Sequence, residues 1–211
     1  MTPPPPLQRV AVGLLVVFAS ATWPPDPSPS WARYDLLADP VGWALVLWGA
    51  VPLARVQAGF ATARTTAVLA ALVSVPLWLP QLRHLLDASG EWAASLPQLA
   101  FCLLLAREVR RAADEHGETR VARRFGLLVA GLAVVALLPV VVLGGGVAGL
   151  APVTALLALL VDVALVWSLF AVHRRPWLGG QDRAGAPDGP DGAGRTTAAR
   201  PREEGDGRRA G

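Results

Sequence analysis

Lysine, asparagine and isoleucine are missing altogether from this chain, which also has one cysteine, one methionine, one tyrosine and three histidines. Each shortage removes a class of chemistry. A phosphate-cradling glycine loop ends in lysine, so that nucleotide site is excluded. Cys102 is alone, which rules out an intrachain disulfide and any thiolate cluster. His84, His116 and His173 are scattered, and none falls in the middle of an apolar stretch. Neither a histidine metal centre nor a haem held by two membrane histidines is expected. The patterns H-E-x-x-H and G-x-S-x-G do not occur. No catalytic, cofactor-binding or metal-binding residues are therefore assigned. The missing residue types have codons rich in adenine and thymine, while arginine, alanine, glycine and proline abound; a GC-rich bacterial genome is the simplest cause.

What is there is apolar. Hydrophobic residues make up 53% of the chain and gather into six stretches at about 8–23, 41–58, 65–80, 92–110, 124–144 and 151–173. A helix needs about 17–25 such residues to cross the hydrocarbon layer. The spacing predicts an all-α fold: a polytopic membrane protein whose residues 1–177 form a bundle of six transmembrane helices, followed by a disordered tail over 178–211.

Arginine gives an independent check. Arg9 precedes the first stretch, and Arg55 and Arg64 lie between the second and third. Arg107, Arg110, Arg111, Arg120, Arg123 and Arg124 lie between the fourth and fifth, and Arg174 and Arg175 follow the sixth. The other connections carry only Arg33 and Arg83, each offset by acids, or no charge at all. The positive-inside bias then places both termini in the cytoplasm. Trp23, Trp43, Trp78 and Trp92 fall at the opposite ends of helices one to four, where an amphipathic ring suits the headgroup layer. The net charge of +3 does not indicate nucleic acid, because the basic residues flank helices in turn and lack interleaved aromatics. The expected surroundings are the lipid bilayer of a bacterial inner membrane, with a membrane-protein partner or a second copy of the chain.

The connections carry their own expectations. Val10 to Ala19 followed by Ala19-Ser20-Ala21 also fits a cleaved signal peptide, but the proline-rich segment before it has one nearby cation, which favours a retained first helix. Pro24, Pro25, Pro27 and Pro29 exclude a helix there, and Ser30 is placed to cap a short surface helix carrying Trp31, Tyr34 and Leu37. Arg/Glu pairs three or four residues apart carry helix four into the cytoplasm, with Gly117 as its stop. Gly144 to Gly149 is short enough only to reverse direction, and Gly145 with Gly149 forms a small-xxx-small pair. Residues 178–211 hold little that is apolar enough to offset ordering entropy, and their arginines and acids balance.

Within the spans three polar residues stand out. Asp162 sits near the midpoint of the sixth, where an ionised carboxylate costs about 2.5–3.5 kcal/mol, so it must face protein or water. It serves there either as a proton relay or as a hydrogen-bonded pin of helix register. Gln98 lies towards the outer half of helix four, near Ser95 and with Ser74 on helix three, and Arg55 closes helix two and snorkels to the inner interface. Pro52, Pro76, Pro97 and Pro139 interrupt helices two to five, either as plain kinks or as sources of freed carbonyls.

Leu79-Pro80-Gln81-Leu82 and Leu96-Pro97-Gln98-Leu99 each resemble the Pro-Gln dipeptide of PQ-loop transporters. In that family the dipeptides occupy equivalent places in separate repeats, whereas here they flank one external loop, so membership does not follow. The functional expectation is a non-catalytic accessory or assembly component of the membrane. The alternative is a small secondary transporter in which Asp162 is the protonatable group.

Overall fold

Proline and glycine set the boundaries of the helices. In the computed structural model, which describes residues 4–19, 22–23, 34–35 and 39–179, helix α1 (Pro6–Phe18) begins where Pro6 supplies the fixed φ of a first helical turn. The others are α2 (Asp39–Val56), α3 (Phe60–Leu77), the single turn α4 (Pro80–Arg83), α5 (Ala88–Glu115), α6 (Thr119–Gly144) and α7 (Ala151–Val172). Asp87 caps α5, its side chain accepting from the Gly90 N–H at 2.7 Å. Gly117 ends the same helix region at φ 71°, as expected of a left-handed stop. The chain is helical throughout apart from one two-residue antiparallel pairing, Thr22–Trp23 against Tyr34–Asp35, among the described residues. Tyr34 is therefore extended rather than part of the short helix expected after Ser30; the remainder of that stretch, and residues 180–211 of the expected tail, lie outside the described residues.

Six helices close into a ring. Helix α1 lies against α2, α2 against α3, α3 against α5, α5 against α6, α6 against α7, and α7 returns to α1. Each turns a stripe inward at three- and four-residue spacing; on α3 it is Phe60, Ala63, Ala67, Ala70 and Ser74. The α1–α2 seam is the tightest, because Gly13 faces Gly42 and Val46, and Gly49 faces Pro6 and Val10, with no room for a Cβ on any of the three glycines. The middle is filled by Trp43, Phe101, Leu105, Phe125, Leu132, Leu165 and Leu169. Trp43 and Phe101 meet edge to face at 5.4 Å between centroids. Trp43, expected in the headgroup belt, is a core residue.

Three helices, α3, α6 and α7, are long and apolar enough to cross a membrane, not six. The reason differs for each of the others. Helix α1 has 13 residues, about 20 Å of rise against a hydrocarbon layer of about 30 Å. Helix α2 is diluted by Asp39, Pro40, Gly42, Gly49, Pro52 and Arg55. Helix α5 is long, but Glu91 and Gln98 at one end and six charged residues between Arg107 and Glu115 at the other lower its apolarity. Across the ring's exterior large apolar side chains are exposed, among them Leu72, Leu127, Leu137, Leu159 and Trp167. Such a surface belongs in lipid rather than water.

The chain after α7 folds back under the arginine-rich end. Arg175 leads into a 3-10 turn, Pro176–Leu178, closed by Gly179 at φ 74°. Leu178 is fully buried, and Trp177 stacks on His116 at 5.4 Å between ring centroids. The Trp177 Nε1 donates to Glu118 Oε1 at 3.0 Å, which also takes Arg175 Nη1 at 3.2 Å. Gln57 Nε2 donates to the Trp177 carbonyl at 3.4 Å, so one short turn ties the α2–α3 and α5–α6 connections together.

Candidate functional site

At the end away from that turn, α3 and α5 leave a space between them. Ala70, Val73, Ser74 and Leu77 form one stripe on α3, and Glu91, Ala94, Ser95 and Gln98 form another on α5, at the spacing that places side chains on one helix face. Between the stripes lies a cavity of about 170 Å³, open on one side, with Asp39 and Trp43 of α2, Arg83 of α4 and Leu86 completing its wall. The Ser74 hydroxyl donates to the Ala71 carbonyl at 2.8 Å, and that of Ser95 to the Trp92 carbonyl at 2.7 Å. Arg83 Nε donates to Glu91 Oε1 at 3.3 Å, both side chains being half exposed or more. Solvent screens such a pair, which contributes about 0–1 kcal/mol. Trp92 Nε1 donates to the Ala136 carbonyl at 3.3 Å and fastens this end of α5 to α6.

Of the three polar positions singled out in the spans, Gln98 lines this cavity, and its amide takes part in no hydrogen bond among the described residues. Ser74 and Ser95 join it there. Asp162 does not. It is half-buried on α7, on the stripe that continues through Leu165, Val166 and Leu169. The hydroxyls that flank it turn to their own helix: Ser168 donates to the Ala164 carbonyl at 2.6 Å and Thr154 to the Leu150 carbonyl at 3.0 Å. Arg55 is exposed in the last turn of α2, away from both places. Beyond Gln98 the inward face of α5 runs Phe101, Cys102, Leu105, Ala106 and Val109, all buried, so the polar lining stops within one turn.

Reasoning from the sequence overlooked Asp39, Trp43, Arg83 and Glu91 as members of a site, treating them as loop charges and a belt tryptophan. A signal was present. Glu91, Ser95 and Gln98 share a helical face, as do Ala70, Ser74 and Leu77, and the connection between the two helices is short. No group of three histidine, cysteine or acidic side chains converges to hold a metal ion among the described residues. No protein family, characterised protein or solved structure matches the chain.

Proposed function

We propose that the chain is a six-span protein of a bacterial inner membrane, with both ends in the cytoplasm, acting as a non-catalytic accessory or assembly component. The observation that carries this is the closed ring with an apolar exterior and an apolar filling. Helices α1, α2 and α5 stand in the same ring as the three that are apolar enough alone, so where α3, α6 and α7 cross, their neighbours cross beside them. Flanked by protein on two sides, they present less surface to lipid and tolerate more polar residues. The shortness of α1 is met at its start by Arg9, whose guanidinium lies 4.2 Å from the centre of the Trp48 ring, a pairing suited to the headgroup layer. The buried run from Phe101 to Val109 separates the cavity from the arginine-rich end, which favours a packing role over conduction.

An accessory role is tested by gentle extraction from the native membrane. A discrete complex with another membrane protein, or a defined homo-oligomer, is expected; a monodisperse monomer in every mild detergent tried contradicts the proposal. A transporter is the second reading, favoured by the position of Asp162 on the inward stripe of α7. In that case Asp162→Asn abolishes proton-coupled flux in proteoliposomes while the protein stays folded, and undiminished flux removes Asp162 from any relay.

A further inference from the structure

We propose that the outer face of the α5–α6 hairpin, at its arginine-rich end, binds an anionic phospholipid through its phosphate. This rests on the membrane reading above, which puts that end at the cytoplasmic leaflet. Both helices change character on this face, within a turn of one another. On α5 a spacing of three and four residues carries Leu96, Ala100 and Leu103 on to Arg107. On α6 the same spacing leads back from Val134 through Ala130 and Leu127 to Arg123. Leu127 and Val134 are 68% and 48% exposed, so an acyl chain has an apolar wall to lie against up to the level of the arginines.

Gly126 places a third guanidinium between the other two. A Cβ on this residue of α6 would stand 3.5 Å from Arg110 Nη1 and 3.6 Å from its Cζ and Nε, so the Arg110 head lies across bare α6 backbone. Arg107 is one turn back along α5 from Arg110, and Arg123 is one turn before Gly126. All three arginines are exposed, and Arg107 and Arg123 have no ion pair among the described residues. Asp114 is the acid that shares the face, its Oδ2 lying 3.8 Å from Arg110 Nε. Glu108 and Glu115, on the other side of α5, pair with Arg111, and Glu118 pairs with Arg175. Three guanidiniums against one carboxylate leave the face positive. A guanidinium is a planar fork of N–H donors that matches two phosphate oxygens at once. A nucleic acid or an acidic protein would meet the same charges but would leave the adjoining apolar wall uncovered, whereas a phospholipid meets both.

The test is native mass spectrometry of the full chain released from maltoside micelles, titrated with phosphatidylglycerol and with phosphatidylcholine of the same acyl chains. A one-to-one adduct at least about tenfold tighter with phosphatidylglycerol is expected. Arg107→Gln and Arg123→Gln should each weaken that adduct about fivefold. Arg64→Gln, which removes an exposed arginine of α3 at the same end of the bundle, should leave it unchanged. Asp114→Asn should tighten it, and this opposite sign keeps the test decisive if an arginine variant misfolds. Glycerol phosphate, which carries the phosphate without the chains, should not displace the lipid. Equal affinity for the two lipids, an equal loss in Arg64→Gln, or indifference to Arg107, Arg123 and Asp114 alike overturns the proposal. Displacement by glycerol phosphate overturns it too, since the occupant is then a soluble phosphate. None of these failures touches the six-span reading, which fails by a separate result, labelling of residue 117 from outside the cell.

Discussion

Replacing Gly49 with alanine pushes on the close approach of the α1 backbone to α2. A Cβ at this position would stand 2.5 Å from the Pro6 carbonyl oxygen, 2.7 Å from Val10 Cγ2 and 2.8 Å from the Val10 nitrogen, where ordinary contact begins at 3.4 Å. Helix α1 must therefore retreat by about 0.9 Å, and a gap of about 0.5–1 Å already forfeits a quarter to a half of each dispersion contact. Van der Waals packing carries helix association where lipid surrounds the helices, so little offsets the loss. Overpacking of this kind costs about 1–3 kcal/mol, against which alanine regains up to about 1 kcal/mol of helix propensity. The net of roughly 1–2 kcal/mol corresponds to a fall in Tm of roughly 2–8 °C for a chain of this size. The assay is thermal unfolding in maltoside micelles followed by tryptophan fluorescence, with Gly144→Ala as the control, since a Cβ there meets nothing within 4 Å. If Gly49→Ala melts at the same temperature as Gly144→Ala, the close seam does not exist. The same reasoning makes Gly13→Ala and Gly42→Ala less than additive in combination: their Cβ positions each meet the other's carbonyl, and one displacement relieves both.

Other outcomes follow from particular contacts. Phe101→Ala removes the partner of Trp43 from the fully buried middle and should cost about 3–5 kcal/mol, measured by the same melting assay; a loss below about 1 kcal/mol would mean the core there is already loose. Trp177→Ala should destabilise the bundle and raise amide exchange in residues 57–59 and 116–118, whereas Arg175→Ala, which breaks only a half-exposed ion pair, should change stability by less than about 1 kcal/mol. Equal effects of the two substitutions would place the fastening in the ion pair rather than the ring. Cys102, buried at 1% exposure, should resist maleimide in the folded protein and react once it is unfolded; rapid labelling of the native state would contradict the packing of α5.

Much of the helical layout was legible because apolar runs are long and proline, glycine and arginine punctuate them. The stop at Gly117 and the reversal at Gly146 lie where the sequence placed them. Span quality was less legible. Helices α1, α2 and α5 are short or carry polar and charged residues within their apolar runs, so counting apolar runs overstated how many are long and apolar enough to cross a membrane. The glycine seam was hidden for a different reason: Gly13, Gly42 and Gly49 sit in two helices, and close approach is a property of the pair. The small-xxx-small pair that was visible, Gly145 and Gly149, faces no neighbouring helix, since Gly149 meets nothing within 4 Å and a Cβ on Gly145 meets chiefly the Val141 carbonyl of its own helix. In the cavity each polar residue was ambiguous alone. Gln98 read as one amide in a span and Glu91 as a loop charge; only the facing of α3 and α5 makes them one wall.

The orientation of the ring in a membrane is tested most directly by paired single cysteines, at Gly117 and at Val147, introduced into a Cys102→Ser background and probed in intact cells with a membrane-impermeant maleimide. Six spans with arginines on the cytoplasmic side predict labelling at 147 without permeabilisation and at 117 only after it. Labelling of both positions under the same condition, or recovery of the chain in the aqueous fraction of the lysate, contradicts that topology.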